Sequence, residues 1–116
     1  MEQLVETTKR EIVFYTQSNG NIPFQQWLFT LSNTMRSIVL RRLENIRSGL
    51  LGDYKPIEDG IFEFRIHAGQ GARFYFAFEG QKLILLLSGG DKGDQKKDIK
   101  KAKRYYADYK ERKTKK

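Results

Sequence analysis

The chain has 116 residues, no cysteine and a formal net charge of +8, with 39% hydrophobic and 13% aromatic residues. This length and composition predict a single folded domain over residues 1–112 and exclude a disordered chain. The absence of cysteine excludes a disulfide framework, a thiol nucleophile and a zinc finger. No apolar run approaches the roughly 20 residues of a membrane helix, and the N-terminus lacks the apolar centre of a signal peptide. We therefore expect a soluble cytoplasmic protein with no membrane partner.

The positive charge lies almost entirely at the C-terminal end. Residues 1–90 hold 10 Lys and Arg against 9 Asp and Glu, whereas residues 91–116 hold 12 against 5. Such asymmetry favours an acidic partner, most often nucleic acid. The alternative is a solvated helix face followed by a frayed lysine tail, and we expect residues 113–116 to form a disordered basic tail.

The first half of the chain predicts one strand followed by two helices. Glu11–Thr16 has the short, β-branched and aromatic composition of a strand. After a polar turn, Pro23 suits the first turn of a helix that ends near residue 31. A second helix, Thr34–Ser48, carries apolar residues at helical spacing, and Ser32 or Asn33 can cap its start.

The second half predicts a polar loop, three strands and a final helix. Residues 52–60 are polar and rich in Gly, Pro and Asp, which is typical of a loop. The strands Ile61–His67 and Arg73–Glu79 alternate, and Lys82–Ser88 is continuously apolar, as expected of a strand covered on both faces. Asp94 can cap the last helix. The order β-α-α-β-β-β-α predicts an α+β fold, with a small antiparallel sheet and helices packed mainly over one face.

Polar residues of two neighbouring strands are predicted to share one surface. Glu63, Arg65 and His67 point to one side of their strand, and Arg73 and Tyr75 point to one side of the next. Because only a short turn joins these strands, we expect the two polar faces to coincide. The alternative interpretation is an ordinary polar sheet face, with Glu63 and Arg65 forming a surface ion pair.

Three cations are predicted to meet at one end of the sheet. Arg65 and Arg73 come from adjacent strands, and the turn Gly89-Gly-Asp-Lys92 brings Lys92 out after the third strand. Such a group can hold a phosphodiester through charge-assisted hydrogen bonds and can stabilise the added negative charge of a pentacovalent transition state. If the substrate is RNA, its own 2′-hydroxyl supplies the nucleophile, so the protein needs only positioning, charge and proton transfer.

For the remaining polar residues of this region, the sequence allows more than one role. His67, the only histidine, is a candidate proton shuttle or a surface residue. Glu63 is a candidate base or orients Arg65, and Tyr75 either stacks on a base or packs at the sheet edge. Asp98, like Asp94, suits the first turn of a helix better than a metal cluster. With one histidine and no cysteine, we expect no metal and no cofactor.

These residues resemble those of a known family. The run Phe62-Glu-Phe-Arg-Ile66, the turn and strand Gly-x-Gly-x-Arg73-x-Tyr75, and the ending Gly89-Gly-Asp-Lys92 followed by Gln95, Asp98-Ile99 and Ala102-Lys103 are similar to the RelE/ParE toxin superfamily. The most similar branch is the HigB-like addiction module killer protein group. The resemblance extends from Ile12 to about Lys110.

The resemblance implies a toxin of a type II toxin–antitoxin module. RelE-like members cut mRNA in the ribosomal A site without metal and leave a 2′,3′-cyclic phosphate, whereas ParE-like members poison DNA gyrase. By position, Arg73, Arg65 and Lys92 correspond to basic residues that bind the phosphate. Glu63 falls where RelE has a lysine, and Asp98 falls near a tyrosine of RelE, so the proton-transfer group is open among Glu63, His67 and Asp98.

The leading hypothesis is a ribosome-dependent mRNA endonuclease that inhibits translation. Its expected partners are mRNA, the ribosome and a small antitoxin with a helix-turn-helix domain, which would form a hetero-oligomer with the toxin. The alternatives are a gyrase inhibitor that performs no chemistry and a non-catalytic nucleic-acid or partner-binding module. The final helix would grip ribosomal RNA or receive the antitoxin. Its candidate nucleic-acid contacts are Lys96, Lys97, Lys100, Lys101 and Arg104.

Overall fold

A computed structural model describes residues 9–69, 71–91 and 93–114 of the chain. Five strands and three helices follow one another in the order β-α-α-β-β-β-β-α. The α+β class predicted from the sequence is confirmed. The elements are β1 (Glu11–Phe14), α1 (Pro23–Thr30), α2 (Asn33–Arg47), β2 (Tyr54–Glu58), β3 (Ile61–Ile66), β4 (Ala72–Glu79), β5 (Leu83–Asp91) and α3 (Gln95–Thr114).

The segment predicted to be a loop contains one additional strand. Tyr54–Glu58 forms β2, which pairs antiparallel with β3 at the edge of the sheet. The pairing register shifts between Pro56 and Glu58. Proline donates no backbone hydrogen bond and is tolerated at sheet edges and bulges, so its presence here is compatible with a strand. The polar composition that suggested a loop is that of an exposed edge strand.

All five strands form one sheet in the order β1-β5-β4-β3-β2. β1 runs parallel to β5, and the remaining neighbours are antiparallel. Ile84–Leu87 of β5 are fully buried. This burial confirms that the continuously apolar strand is covered on both faces, since it lies between two strands and beneath two helical layers.

Helices cover both faces of the sheet. α1 and α2 pack on one face, where the apolar cluster includes Phe64 and Phe74. α3 packs on the other face, where Ala102 contacts a cluster that includes Tyr75 and Leu87. Two of the three helices therefore share one face, as predicted, and α3 covers the opposite face with the apolar stripe of an otherwise basic helix.

The ends of the helices follow the local sequence signals. The side chain of Ser32 accepts a hydrogen bond from the backbone N–H of Met35, which confirms the predicted cap of α2. α3 continues through Lys113 and Thr114, two residues assigned above to a disordered tail, and the Lys113 ammonium lies 2.9 Å from the Glu79 carboxylate. Residues 115–116 lie outside the described residues. Within the described ranges, no helix has the length and apolar character needed to cross a bilayer.

Candidate functional site

The β3–β4 hairpin places four of the predicted site residues on one face. Glu63 is the cross-strand partner of Tyr75, and Arg65 is the partner of Arg73. Directly opposite residues of an antiparallel pair project to the same side of the sheet. The predicted coincidence of the two polar faces is therefore confirmed. This face is the one that α3 covers, so the first turn of α3 forms one wall of the site.

Glu63 is a buried carboxylate that links the hairpin to α3. It accepts hydrogen bonds from Nε of Arg65 at 2.9 Å and from Nε2 of Gln95 at 2.7 Å. Burial opposes ionisation, but the hydrogen bonds from Arg65 and Gln95, with the nearby charge of Arg73, lower the pKa of Glu63 below its ordinary value. Of the two roles considered, the contacts match the orientation of Arg65, because the carboxylate is 0% exposed.

Arg73 lines an open cleft at the start of β4. The cleft has a volume of about 540 Å³, and its other lining residues are Gly93, Asp94, Gln95, Lys96 and Lys97. Among the described residues, the Arg73 side chain has no hydrogen bond or ion pair. A half-buried guanidinium facing a cleft beside two lysines is suited to an anionic ligand. Lys92, the third predicted cation, lies outside the described residues.

His67 follows β3 at the same end of the sheet and has a carboxylate partner. Its Nε2 lies 2.6 Å from Oδ2 of Asp53, and both side chains are mostly exposed. The hydrogen bond with His67, aided by the charges of Arg65 and Arg42, lowers the pKa of Asp53. A carboxylate that orients an imidazole is an arrangement able to transfer protons. Asp53 stands in the polar stretch before β2 and was not predicted from the sequence as a site residue.

Arg42 supports the site from α2, and its role was not predicted from the sequence. From α2 it donates hydrogen bonds to the backbone oxygens of Leu51, Asp53 and Arg65, at 3.2, 2.7 and 2.9 Å. Its guanidinium also lies over the ring of Phe64, 5.1 Å from the centroid. Arg42 thereby fixes the backbone of two site residues, Asp53 and Arg65. Its position in the sequence of α2 did not indicate a role in the site, because the arginines of this helix have the pattern of ordinary surface residues.

Tyr75 packs in the core. The side chain is 0% exposed and belongs to the apolar cluster beneath α3. Burial, followed by the charge of Glu63, raises the pKa of its hydroxyl. A fully buried ring offers no face to a nucleobase, so the structure corrects the assignment of Tyr75 to nucleic-acid binding and supports the packing alternative.

The exposed face of α3 carries the predicted basic residues. Lys96 and Lys97 join the cleft at Arg73, and Lys100 lines the adjoining groove together with Glu58 and Lys103. The five predicted contacts are all exposed: Lys96, Lys97, Lys100, Lys101 and Arg104. The helix therefore extends a positive surface away from the arginine pair, as a polyanion-binding helix requires.

Asp98 projects from the first turn of α3 but lines a different cleft from Arg73. It is 9% exposed, and its Oδ2 atom has no hydrogen-bond partner among the described residues. Burial raises the pKa of this carboxyl, and the charges of Asp94 and Asp91 add to the effect. The predicted catalytic residues therefore fall into two groups. Glu63, Arg65 and Arg73 share the hairpin face and His67 adjoins it, whereas Asp98 lies against Gly90 and lines a separate cleft.

Two comparisons with known proteins give a family and a relative for this chain. Residues 26–107 match the family model described as "Phage derived protein Gp49-like (DUF891)". An uncharacterized protein of Haemophilus influenzae is 42% identical over 88 residues, which is 75% of this chain and 89% of that relative. The family match covers more than half of the chain and includes α2, the hairpin and most of α3. The chain therefore belongs to the phage-derived Gp49-like family, a toxin-like family of the RelE/Gp49 type.

Proposed function

We propose that the protein is the toxin of a type II toxin–antitoxin module, of the HigB-like branch, and that it cleaves mRNA on the ribosome. The observation that carries this proposal is the placement of Arg65 directly opposite Arg73, beside a cleft whose rim is formed by lysines of α3. Guanidinium groups carried by two directly opposite residues are suited to the non-bridging oxygens of one phosphodiester. They supply charge stabilisation to the reaction without a metal.

In the proposed reaction, the 2′-hydroxyl of the RNA attacks the adjacent phosphorus and the bond to the 5′-oxygen breaks. The products are a 2′,3′-cyclic phosphate and a 5′-hydroxyl. Arg73 and Arg65 hold the phosphate oxygens as negative charge accumulates, and Glu63 keeps Arg65 in place. His67, oriented by Asp53, takes the proton of the 2′-hydroxyl and releases it to solvent, and water protonates the leaving 5′-oxygen. The participation of Lys92 and Asp98 in this reaction stays a prediction.

The basic face of α3 supplies the proposed contact with larger partners. Lys96 and Lys97 lie beside the phosphate cleft, and Lys100, Lys101 and Arg104 extend the charge along the helix. We assign this face to ribosomal RNA, in the cytoplasm where ribosomes work. A helix-turn-helix antitoxin that covers the same face would form a hetero-oligomer and exclude the ribosome. Binding to RNA through this face would weaken steeply with added salt.

Purified protein in a translation extract tests the proposal. With the wild type, mapping of mRNA ends should give discrete cuts at codon-defined positions, with 5′-hydroxyl products. Arg73→Ala should abolish these cuts. Lys82→Ala is the matched control, because it removes one positive charge from the exposed turn before β5 and should cut normally.

The same extract separates the alternatives. Intact mRNA together with double-strand breaks in DNA would show that the protein is a gyrase inhibitor and not an mRNA nuclease. Intact mRNA and intact DNA, with growth unaffected when the protein is expressed alone, would leave only a binding module.

A further inference from the structure

A second cleft opens where β5 extends beyond β1. The pairing of β1 with β5 ends at Phe14 and Leu86, whereas β5 continues to Asp91 with β4 on its other side. In the described part of the chain, no strand pairs with this free edge. The edge instead borders a cleft of about 350 Å³ between α1 and α3, whose floor is Ser88–Asp91.

Two glycines shape the floor of this cleft. A Cβ atom at Gly89 would overlap the ring of Trp27, and one at Gly90 would overlap the carboxylate of Asp98. Trp27 comes from α1 and Asp98 from α3, so the glycines allow both walls to approach the strand closely. The cleft is thus a formed feature of the fold, in which α1 approaches Gly89 and α3 approaches Gly90.

Three polar atoms of residues that line the cleft have unused hydrogen-bonding capacity. Nε1 of Trp27, Oγ of Ser88 and Oδ2 of Asp98 are buried and have no partner among the described residues. Ser88 is 6% exposed and Asp98 is 9% exposed. Buried polar groups of native proteins are normally paired, and unpaired ones need an explanation. A ligand that enters the cleft and carries hydrogen-bond donors explains the Asp98 and Ser88 oxygens.

The charge of the cleft selects the kind of ligand. Asp91 and Asp94 lie on the lining with Asp98, and among the described lining residues Lys101 is the single basic one. An acidic cleft in a chain of net charge +8 repels a phosphate and attracts a cation. The described residues contain no group of side chains suited to a metal ion. The rings of Trp27 and Tyr105 also line the cleft, and a planar guanidinium stacks on such rings better than an ammonium does.

We propose that this cleft binds an arginine side chain presented by an extended segment of a partner protein. The guanidinium meets the carboxylate of Asp98, and the backbone of the segment pairs with the free edge of β5, as in β-strand addition. Asp94 is the one lining residue that this cleft shares with the Arg73 cleft. The other described lining residues of the two clefts differ, so peptide binding here is measured separately from RNA cleavage.

Trp27 makes the site directly measurable, because it is the single tryptophan of the chain. The full-length protein is titrated with a short blocked peptide of alternating threonine and valine that carries one central arginine. We expect a saturable change in tryptophan fluorescence. The same peptide with citrulline, which has the shape of arginine without its charge, should bind at least about tenfold more weakly.

Variants and competing ligands decide the outcome. Asp98→Asn should weaken arginine-peptide binding about tenfold, and Glu11→Gln, which removes an exposed carboxylate from the far end of β1, should leave it unchanged. Equal binding of the citrulline peptide, or no saturable change with the arginine peptide, would overturn the proposal. Argininamide binding as tightly as the peptide would refute the role of the strand edge. Binding of guanosine monophosphate in place of the peptide would identify a nucleotide site instead.

Discussion

Arg65 and Arg73 lie directly opposite each other in the β3–β4 ladder, and the two residues differ in their partners. Arg65 donates to the buried carboxylate of Glu63, whereas Arg73 has no such partner among the described residues and lines an open cleft. Like charges opposite each other across two strands are unfavourable. The charge of Glu63 acts on both arginines and opposes this repulsion, and an anion bound at Arg73 would reduce it further.

The first prediction concerns this repulsion. Arg73→Ala should change the free energy of unfolding by no more than about 0.5 kcal/mol, because the lost repulsion from Arg65 and the lost attraction to Glu63 act in opposite directions. A dinucleotide with a 2′-deoxy sugar, which binds without being cleaved, should raise the melting temperature of the wild type and of Lys82→Ala but not of Arg73→Ala. Equal stabilisation of all three proteins would place the anion site elsewhere.

The second prediction concerns the support of Arg65 by Glu63. Glu63→Gln keeps the shape of the side chain but removes the charge that pairs with Arg65, and Gln95 loses a charged acceptor. We expect a loss of about 1–3 kcal/mol in stability by urea denaturation. RNA cleavage should fall as well, because a neutral amide oxygen holds Arg65 less firmly than the carboxylate does. Glu11→Gln serves as the control, and an unchanged stability of Glu63→Gln would contradict the structural role.

The outline of the fold and the core of the site were predictable from the sequence because their signals are local. Alternation with a period of two marks β3 and β4, and a short turn between them brings Arg65 opposite Arg73. β2 escaped prediction because its edge position tolerates proline and polar residues. The roles of Asp53 and Arg42 were not predicted, because Asp53 lies 14 residues from His67 and Arg42 lies 23 residues from Arg65 in the sequence. No sequence pattern encodes such contacts.

The third prediction concerns Asp53, whose pKa is lowered chiefly by its hydrogen bond with His67. A carboxyl group whose pKa is lower in the folded state than in the unfolded state stabilises the fold at pH values above its ordinary pKa. This stabilisation is lost as the pH falls through the folded-state pKa. Asp53→Asn should therefore be less stable than the wild type near neutral pH, and the difference should vanish in acid. Thermal melts across this pH range provide the measurement. A difference that persists in acid would show that the Asp53–His67 contact is not electrostatic.

The fourth prediction has the opposite sign, because burial raises the pKa of Asp98. At neutral pH the folded state contains an ionised carboxylate in a buried position, which lowers the free energy of unfolding. Below the ordinary pKa of 3.8, the group is protonated in both the folded and the unfolded state. Asp98→Asn should therefore be more stable than the wild type at neutral pH, and the gain should disappear as the pH falls. A destabilised variant at neutral pH would mean that the ionised carboxylate has a stabilising partner.

The fifth prediction concerns the contact of Arg42 with Gly52. Gly52 adopts a φ of +69°, and a Cβ atom there would lie 2.9 Å from Cζ of Arg42. Gly52→Ala should cost about 1–3 kcal/mol, because it combines backbone strain with displacement of the guanidinium that holds Asp53 and Arg65. Gly80→Ala is the matched control, since its φ is +70° but nothing lies within 4 Å of the added atom. It carries the same strain without the displacement, so only Gly52→Ala should lose RNA cleavage at a temperature where both variants are folded. Equal RNA cleavage by the two variants would show that Arg42 does not support the site.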